Sequence, residues 1–485
     1  MKQLVSLFAF TLFTLSALLA QKKPLTLDLH DEWKTMERFD LTPNGEYLVY
    51  EIAPLTGDGF VVIQELASLQ VDTVHRASGY KIDTENNYVA FMISPRHDSL
   101  RAMKLREVKE KDLPKDSLGI FVFNEDSVRI IPDVKSFELS GKGSSFLSYT
   151  LEEASKDPEP DGKKKKKKGQ KEDKPKKTPK DKKGAVVLHN PLTGYSVEIK
   201  HATESAFAQE AAAFAVVRYV KENWDSAIVD IHANDTILTH GDLGREALQL
   251  TWNEQGTRLA LLASADTTKQ KNHSLYLLQD QEVSVVADSL STYTYSGFAP
   301  SSKGSIYFSQ DGDRLYFGIA PLNKEEPKDT LLKDEKAYVD IWHYQDLRIQ
   351  PEQLKQLKRD KNRTFLTVVH LNENKLVQLA DSALENVRVN TKQNDFYGIA
   401  TDDTPYSIER TWTYPWRNDL YWIDTQTGAR TKLLSGKTYG LGISAHGKYA
   451  HWYNETDQNW YAMRIGTSDT LNLTESLTAQ GEVFF

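Results

Sequence analysis

LTPNGEYLVY, residues Leu41–Tyr50, is the clearest copy of a pattern that recurs eight times along this chain of 485 residues. The pattern is an apolar residue, three residues of any type, a glycine, at most two polar residues and then an alternating apolar strand. The other copies start at Ile82, Leu139, Phe207, Trp252, Phe308, Val389 and Ile443. Successive starts are 41 to 81 residues apart. A repeat of this length that contains only strands and turns is typical of a β-propeller.

Glycine occupies the turn position in most copies, where it allows a positive φ without steric cost. The five copies with glycine have Gly45, Gly143, Gly256, Gly312 and Gly447. Asn86 is a tolerable substitute in the second copy. Ala211 and Gln393 depart from the rule, so the fourth and seventh blades are the weakest assignments, and a seven-bladed propeller is the alternative count.

A second pair of strands follows the repeat cores. It reads as a hairpin at Ala185–Ile199, Ser274–Val286, Leu366–Leu379, Leu420–Leu434 and Trp460–Leu473. Two strands from the core and two from the hairpin make a four-stranded antiparallel blade. The sequence therefore predicts an all-β, eight-bladed β-propeller over residues 41–485, preceded by a lead-in segment at 21–40.

The N-terminus resembles a secretory signal, because Lys2 is followed by an apolar stretch at Leu4–Ala20. We expect cleavage after Ala20, which makes residues 1–20 a signal peptide and the protein periplasmic or extracellular. The alternative is a membrane anchor, for which 17 apolar residues are marginal. Absence of cysteine excludes disulfides, thiol catalysis and a zinc–thiolate site, and the net charge of −8 argues against a nucleic-acid partner.

Two blades carry long insertions. The first, residues 152–184, holds 13 lysines and three carboxylates between Lys163 and Lys183, a net charge of +10. We expect a disordered, solvated loop, and the alternative is a polyanion-binding arm.

The second insertion, residues 321–364 in the sixth blade, contains VDIWHYQD and a helix-like segment at Pro351–Arg363. Its Trp342, His343 and Tyr344 form an aromatic cluster. The cluster is either a docking surface or substrate wall, or a plug that packs the insertion onto the blade.

Enzyme signatures are missing from the sequence. There is no Gly-x-Ser-x-Gly, His-Glu-x-x-His, phosphate-binding loop or dinucleotide fingerprint. Ser444 and His446 come nearest, but they lie within a repeat core, which already explains them. His201, His232, His240, His370 and His451 are scattered, and the acidic pairs Glu152–Glu153 and Glu325–Glu326 lie in highly charged loops. We therefore assign no catalytic, cofactor-binding or metal residue, and no cofactor.

Several segments of the chain occur in an order and spacing that match a known family. They are His30–Leu66, Lys109–Phe123, the Lys-rich insertion, Phe308–Pro321, Lys336–Asp346 and Ile443–Met463. In these segments the chain resembles exported prolyl oligopeptidase family serine peptidases of the Bacteroidetes type. The resemblance covers nearly the whole mature chain, and it rests on the order and spacing of these segments together.

The resemblance implies a propeller that precedes an α/β-hydrolase domain with a Ser–Asp–His triad and restricts entry to short or unstructured peptides. This sequence ends at Gly481–Phe485 without the hydrolase half, so no triad residue can be carried over. We expect a non-catalytic, substrate-gating part that is inactive alone. Its partner would be a peptide substrate when joined to a hydrolase domain, with no membrane contact after signal cleavage.

Two other functions are open from the residues alone. The chain could be a stand-alone periplasmic propeller that binds a protein or peptide on its broad face. A weaker alternative is a metal-dependent propeller enzyme, such as a lactonase or glycosidase, which would need clustered carboxylates or histidines.

Overall fold

The computed structural model describes residues 33–125, 127–151, 184–220, 223–233, 236–268, 270–293, 295–324, 335–337, 339–390 and 394–478. These residues divide into two compact units, and the boundary lies after Phe137, within one strand. The predicted signal peptide, the lead-in segment before Trp33, nearly all of the Lys-rich insertion and the last seven residues lie outside the described part.

The described chain forms eight antiparallel sheets whose strands follow chain order. The first sheet contains β1 (Lys34–Leu41), β2 (Tyr47–Pro54), β3 (Phe60–Glu65) and β4 (Val71–His75). The second contains β5 (Ala77–Ile82), β6 (Tyr88–Ile93), β7 (Ser117–Val122) and β8 (Ser127–Ile131). The third contains β9 (Val134–Leu139), β10 (Leu147–Leu151), β11 (Ala185–His189) and β12 (Ser196–Lys200). The fourth contains β13 (Ala202–Phe207), β14 (Ala213–Val220), β15 (Asn223–Ala233) and β16 (Thr236–His240).

The remaining four sheets repeat this order. The fifth contains β17 (Glu246–Trp252), β18 (Arg258–Ser264), β19 (Ser274–Gln279) and β20 (Glu282–Ala287). The sixth contains β21 (Phe298–Pro300), β22 (Tyr307–Phe308), β23 (Arg314–Pro321), β24 (Phe365–His370) and β25 (Lys375–Gln378). The seventh contains β26 (Val387–Val389), β27 (Tyr397–Asp402), β28 (Asn418–Asp424) and β29 (Arg430–Lys437). The eighth contains β30 (Tyr439–Ile443), β31 (Tyr449–Asn454), β32 (Asn459–Arg464) and β33 (Thr470–Asn472).

These sheets are the eight blades of an all-β propeller fold, so the predicted fold class and the count of eight are confirmed. Every copy of the sequence pattern begins at the last residue of a first strand, including the weakly assigned copies at Phe207 and Val389. The sixth blade splits its first strand into β21 and β22, which both pair with β23. The alternative of seven blades is wrong.

One hydrogen bond closes each repeat turn that is described in full. The first residue after the strand donates its N–H to the carbonyl that starts the next strand, as in Thr42 to Tyr47 (2.9 Å) and Ser309 to Arg314 (2.9 Å). The turn residue has positive φ in six copies, from +61° at Asn86 to +82° at Gly143. The Ala211 turn differs, since Ala213 N–H bonds to Ala211 O at 2.9 Å.

Consecutive repeat turns also contact one another. In the first unit, Asn44 N–H donates to Asn86 Oδ1 at 3.0 Å. In the second unit, a side-chain or backbone hydrogen bond joins one turn to the following turn. In one example, Glu210 N–H donates to Glu254 O at 3.1 Å. The residue that starts the second strand reinforces these contacts: Arg258 donates to Gly312 O and Arg314 to Asp395 O, both at 2.6 Å.

The core lies between neighbouring sheets. In β23, Leu315, Phe317 and Ile319 pack with residues of the fifth sheet, whereas Tyr316 packs with residues of the seventh. Successive side chains of a strand point to opposite faces, so a strand that is covered on both faces needs a continuous apolar run. This explains the continuous apolar runs YVAFMI in β6 and LYFGI in β23.

Within the described ranges the helices are few. They are α1 (His97–Leu105), α2 (Gln350–Lys361) and α3 (Glu475–Thr478), with 3-10 turns at Glu110–Asp112, Thr404–Tyr406 and Glu409–Thr411. The predicted helix in the sixth-blade insertion is confirmed as α2, with Pro351 at its start. None of the described helices has the length and apolar character needed to cross a membrane.

Turn packing gives the first testable prediction. Gly256 (φ +69°) and Gly194 (φ +75°) have the same left-handed backbone, but a Cβ on Gly256 would lie 2.6 Å from Ala211 Cβ, whereas Gly194 has open space. Gly194→Ala should lower the free energy of unfolding by about 1 kcal/mol. Gly256→Ala should cost about 1–3 kcal/mol more, because the neighbouring turn must shift. If urea denaturation showed that Gly256→Ala and Gly194→Ala lower the free energy of unfolding equally, the contact between the two turns would be contradicted.

Candidate functional site

The long connections of the second unit leave the sheets at the end opposite the repeat turns. Strands alternate in direction, so the connection between the second and third strands lies at that end. In the sixth sheet this connection runs from β23 to β24 and contains α2; in the seventh it is residues 403–417. These two segments form the candidate site.

Ion pairs fasten α2 to its surroundings. Arg410 of the seventh-sheet connection bonds to Glu352 of the helix at 2.7 Å and to Asp403 at 2.5 Å. Arg363, just after the helix, bonds to Asp360 at 2.7 Å and to Glu385 at 2.5 Å. The groove beside them has a volume of about 690 Å³. Of its four arginines, Arg348, Arg363 and Arg410 are paired with carboxylates, whereas Arg359 donates to Gln356 Oε1 at 2.6 Å.

Asp360 illustrates the electrostatic balance of this network. Burial alone would raise the pKa of its carboxyl. The hydrogen bond from Arg348 and the charges of Arg348, Arg363 and Arg359 outweigh burial and hold the pKa below its ordinary value. The carboxylate is therefore ionised at neutral pH and acts as a structural counter-ion for the arginines.

The predicted aromatic cluster of the insertion projects into solvent. Trp342 is 65% exposed and Tyr344 is 87% exposed. The plug alternative is wrong, because a plug would bury these rings against the blade. Gln350 Nε2, at the start of α2, donates to Asp340 Oδ1 at 3.0 Å and so ties this segment to the helix.

A second group of exposed rings lies in the seventh-sheet connection, and the sequence analysis missed it. Trp412 is 72% exposed, Tyr414 is 81% exposed, and Trp416 meets Tyr414 edge-on at 6.5 Å between ring centroids. The guanidinium of Arg410 lies 5.3 Å from the centre of the Trp416 ring. The sequence signal for this group is the motif Trp-Thr-Tyr-Pro-Trp at 412–416, which places three aromatic residues within five positions.

The exposed rings continue onto the eighth sheet. Burial raises the pKa of Tyr439, and the nearby Tyr414 and Glu455 raise it further. The Tyr439 ring meets Tyr453 at 6.5 Å. We call Trp412, Tyr414, Trp416 and Tyr439 the aromatic surface.

A basic pocket of about 600 Å³ lies between the fifth and sixth sheets. Lys271, Lys303, Lys324, Lys361 and Arg363 all line it. Glu246 stands behind Lys271 and bonds to it at 3.1 Å.

Glu246 also bonds to His273 at 2.9 Å. The hydrogen bond from His273 is the largest effect on its carboxyl. Burial opposes that effect, but with the help of Lys271 the pKa of Glu246 falls to about 2.

The positions noted in the sequence do not come together into one site. Ser444 Oγ accepts the N–H of Tyr449 at 3.0 Å, as Ser309 and Thr42 do in their own repeat turns, and His446 bonds to Asp395. His370 Nε2 donates to the backbone carbonyl oxygen of Thr425 at 2.9 Å in a buried site. No cluster of potential metal ligands occurs among the described residues. Glu152–Glu153 and Glu325–Glu326 lie outside them.

Comparison with known proteins gives structural likeness at low identity. No protein-family model and no curated protein matches the sequence. The β-propeller domain of the Trilobed protease from Pyrococcus furiosus is 12% identical, with 83% of this chain and 99% of that domain covered and a TM-score of 0.32. The acylaminoacyl peptidase of Pyrococcus horikoshii is 10% identical, with coverages of 89% and 58% and a TM-score of 0.33.

A eukaryotic initiation factor is similar at 10% identity, with 91% of this chain and 89% of that chain covered and a TM-score of 0.44. The chain spans a little over half the length of the acylaminoacyl peptidase. Because the similar structures include both peptidases and an initiation factor, the likeness does not by itself decide the function.

Glu246 gives a prediction on pH dependence. Its pKa is lower in the folded protein than its ordinary value of 4.5, so its stabilising contribution is complete above pH 4.5 and is lost as the pH falls towards 2. Glu246→Gln should lower the free energy of unfolding at pH 7 by about 1 kcal/mol, after allowance for screening of a partly exposed side chain. The difference from wild type should shrink at pH 3.

Urea denaturation at both pH values measures this difference. Glu282→Gln, which changes an exposed carboxyl on the same sheet, is the matched control and should change stability little. A Glu246→Gln effect that is the same at pH 7 and pH 3 would show that the ionised Glu246 carboxylate, bonded to Lys271 and His273, does not stabilise the fold.

Proposed function

We propose that this chain is the non-catalytic, substrate-gating propeller of a periplasmic serine peptidase of the prolyl oligopeptidase type. The aromatic surface is the observation that carries the proposal. It is concentrated at the end of the seventh and eighth sheets that lies opposite the repeat turns. Trp342 and Tyr344 belong to the insertion that leaves the sixth sheet at the same end. We propose that these rings dock the α/β-hydrolase domain.

Several properties support a docking role. Exposed aromatic rings lose little conformational entropy on binding and supply a large contact area, so they are enriched at the centres of protein interfaces. The surrounding ion pairs fix the positions of the rings before any partner arrives, which reduces the cost of ordering. Arg410 serves both purposes, since it bonds to Glu352 and Asp403 and also lies over Trp416.

At the repeat-turn end of the described sheets, Tyr195, Phe396 and Tyr449 are between 45% and 51% exposed, less than Trp412 and Tyr414. Ser444 and His446, the residues nearest to a catalytic motif, are committed there to turn hydrogen bonds and to Asp395. A propeller of this kind would act by exclusion, admitting short peptides to a partner domain that performs the chemistry. We also propose that residues 1–20 direct export.

Docking is testable with the hydrolase domain itself. We expect the coding sequence beyond Phe485 to encode an in-frame hydrolase region with Gly-x-Ser-x-Gly. That domain, purified separately, should bind residues 21–485, and the double variant Trp412→Ala/Tyr414→Ala should weaken binding by about tenfold or more in calorimetry. Tyr195→Ala, another exposed tyrosine in the same unit, should not change binding.

A stop codon directly after Phe485 would instead favour the stand-alone propeller that binds a protein or peptide. Equal binding of wild type and the Trp412→Ala/Tyr414→Ala variant would show that the aromatic surface does not dock the hydrolase domain.

A further inference from the structure

The basic pocket between the fifth and sixth sheets is built from segments that are distant in sequence. The loop before β19 supplies Lys271, the segment after β21 supplies Lys303, the residues after β23 supply Lys324, and the end of α2 supplies Lys361. The connection that carries α2 thus closes one side of the pocket.

Ion pairing separates the cations of this pocket into two groups. Lys271 is matched by Glu246 at 3.1 Å, and Arg363 is matched by Asp360 and Glu385. Lys303, Lys324 and Lys361 form no ion pair with any carboxylate of the described chain. Three unmatched positive charges therefore face one concave space.

Hydrogen bonds between two asparagines hold a wall of the pocket in place. Asn323 N–H donates to Asn272 Oδ1 at 2.8 Å, and Asn323 Nδ2 donates to Lys271 O at 2.8 Å. Asn272 N–H in turn donates to Asp266 Oδ2 at 2.8 Å. The wall that carries Lys271 and Lys324 is thus formed before any ligand binds.

We propose that the basic pocket binds a compact polyanion that carries two or more carboxylate or phosphate groups. Asp360, the carboxylate that also lines the pocket, is paired with Arg348 and Arg363, so positive charge predominates. A cleft in which one sign of charge predominates concentrates the opposite charge, and lysine ammonium groups bind both anion types as point charges. A volume of about 600 Å³ is that of a small-molecule site. The chain as a whole carries a net charge of −8, opposite in sign to the pocket.

The arginine-lined groove beside α2 differs from the basic pocket in how its positive charges are paired. There, Arg410 and Arg363 each contact two carboxylates, and Arg348 contacts Asp360 at 3.0 Å. An anion entering that groove would have to compete with these carboxylates for three of its four arginines; the side chain of the fourth, Arg359, bonds only to Gln356 among the described residues. In the basic pocket an anion would relieve repulsion among the three unmatched lysines.

Calorimetric titration of residues 21–485 with citrate and, separately, with pyrophosphate tests the proposal at low ionic strength. We expect one saturable site, and the tighter of the two anions identifies whether carboxylate or phosphate is preferred. Each of Lys303→Gln, Lys324→Gln and Lys361→Gln should weaken binding about fivefold, and the triple variant about 100-fold. Circular dichroism should show an unchanged fold, since the substitutions remove repulsion.

Two controls distinguish anion binding in the pocket from non-specific attraction of anions to lysines elsewhere in the chain. The triple variant Lys355→Gln/Lys358→Gln/Lys448→Gln makes the same charge change outside the pocket and should retain binding. Replacement of the 13 lysines at 163–183 by glutamine in the full chain should also retain the saturable site. Binding that survives the pocket triple variant, or that disappears with the 163–183 variant, would overturn the proposal.

Discussion

The fold depends on the contact between one repeat turn and the next. Arg258, Arg314 and Tyr397 occupy the same place, the start of a second strand, and each donates a hydrogen bond to a backbone carbonyl of the following turn. Arg314 is almost fully buried and stacks on Phe396. Because buried charge is costly unless it is paired and hydrogen-bonded, these donors fix the position of the neighbouring turn closely.

The contact between turns explains why the two ends of the blades differ. The turn end is occupied by its own hydrogen bonds, so insertions are accommodated at the other end, where the second and third strands are joined. Helix α2 and the aromatic rings of residues 403–417 both arise there. The repeated framework therefore supplies rigidity, and the insertions supply the side chains that a partner or ligand would contact.

The sequence predicts the repeated elements well because they depend on local rules. Glycine at positive φ and an alternating apolar strand are both visible within a dozen residues, and even the Ala211 copy lies at a strand end as expected. The sequence also predicts α2 from Pro351 and the following polar helix formers. The basic pocket was not predictable, because Lys271, Lys303, Lys324 and Lys361 meet only through the packing of two sheets. The proposed docking role of Trp412 rests on its exposure, which depends on tertiary structure and does not follow from the motif alone.

A peptidase assay of purified residues 21–485 tests the central claim most directly. The chain would be given a panel of short chromogenic peptides and a serine-directed phosphonate label, with mass spectrometry of the product. The account predicts no turnover and no labelled serine, since the described chain commits Ser444 and His446 to a structural turn. Turnover, or labelling of any serine, would show that this propeller holds an active site of its own and would contradict the account.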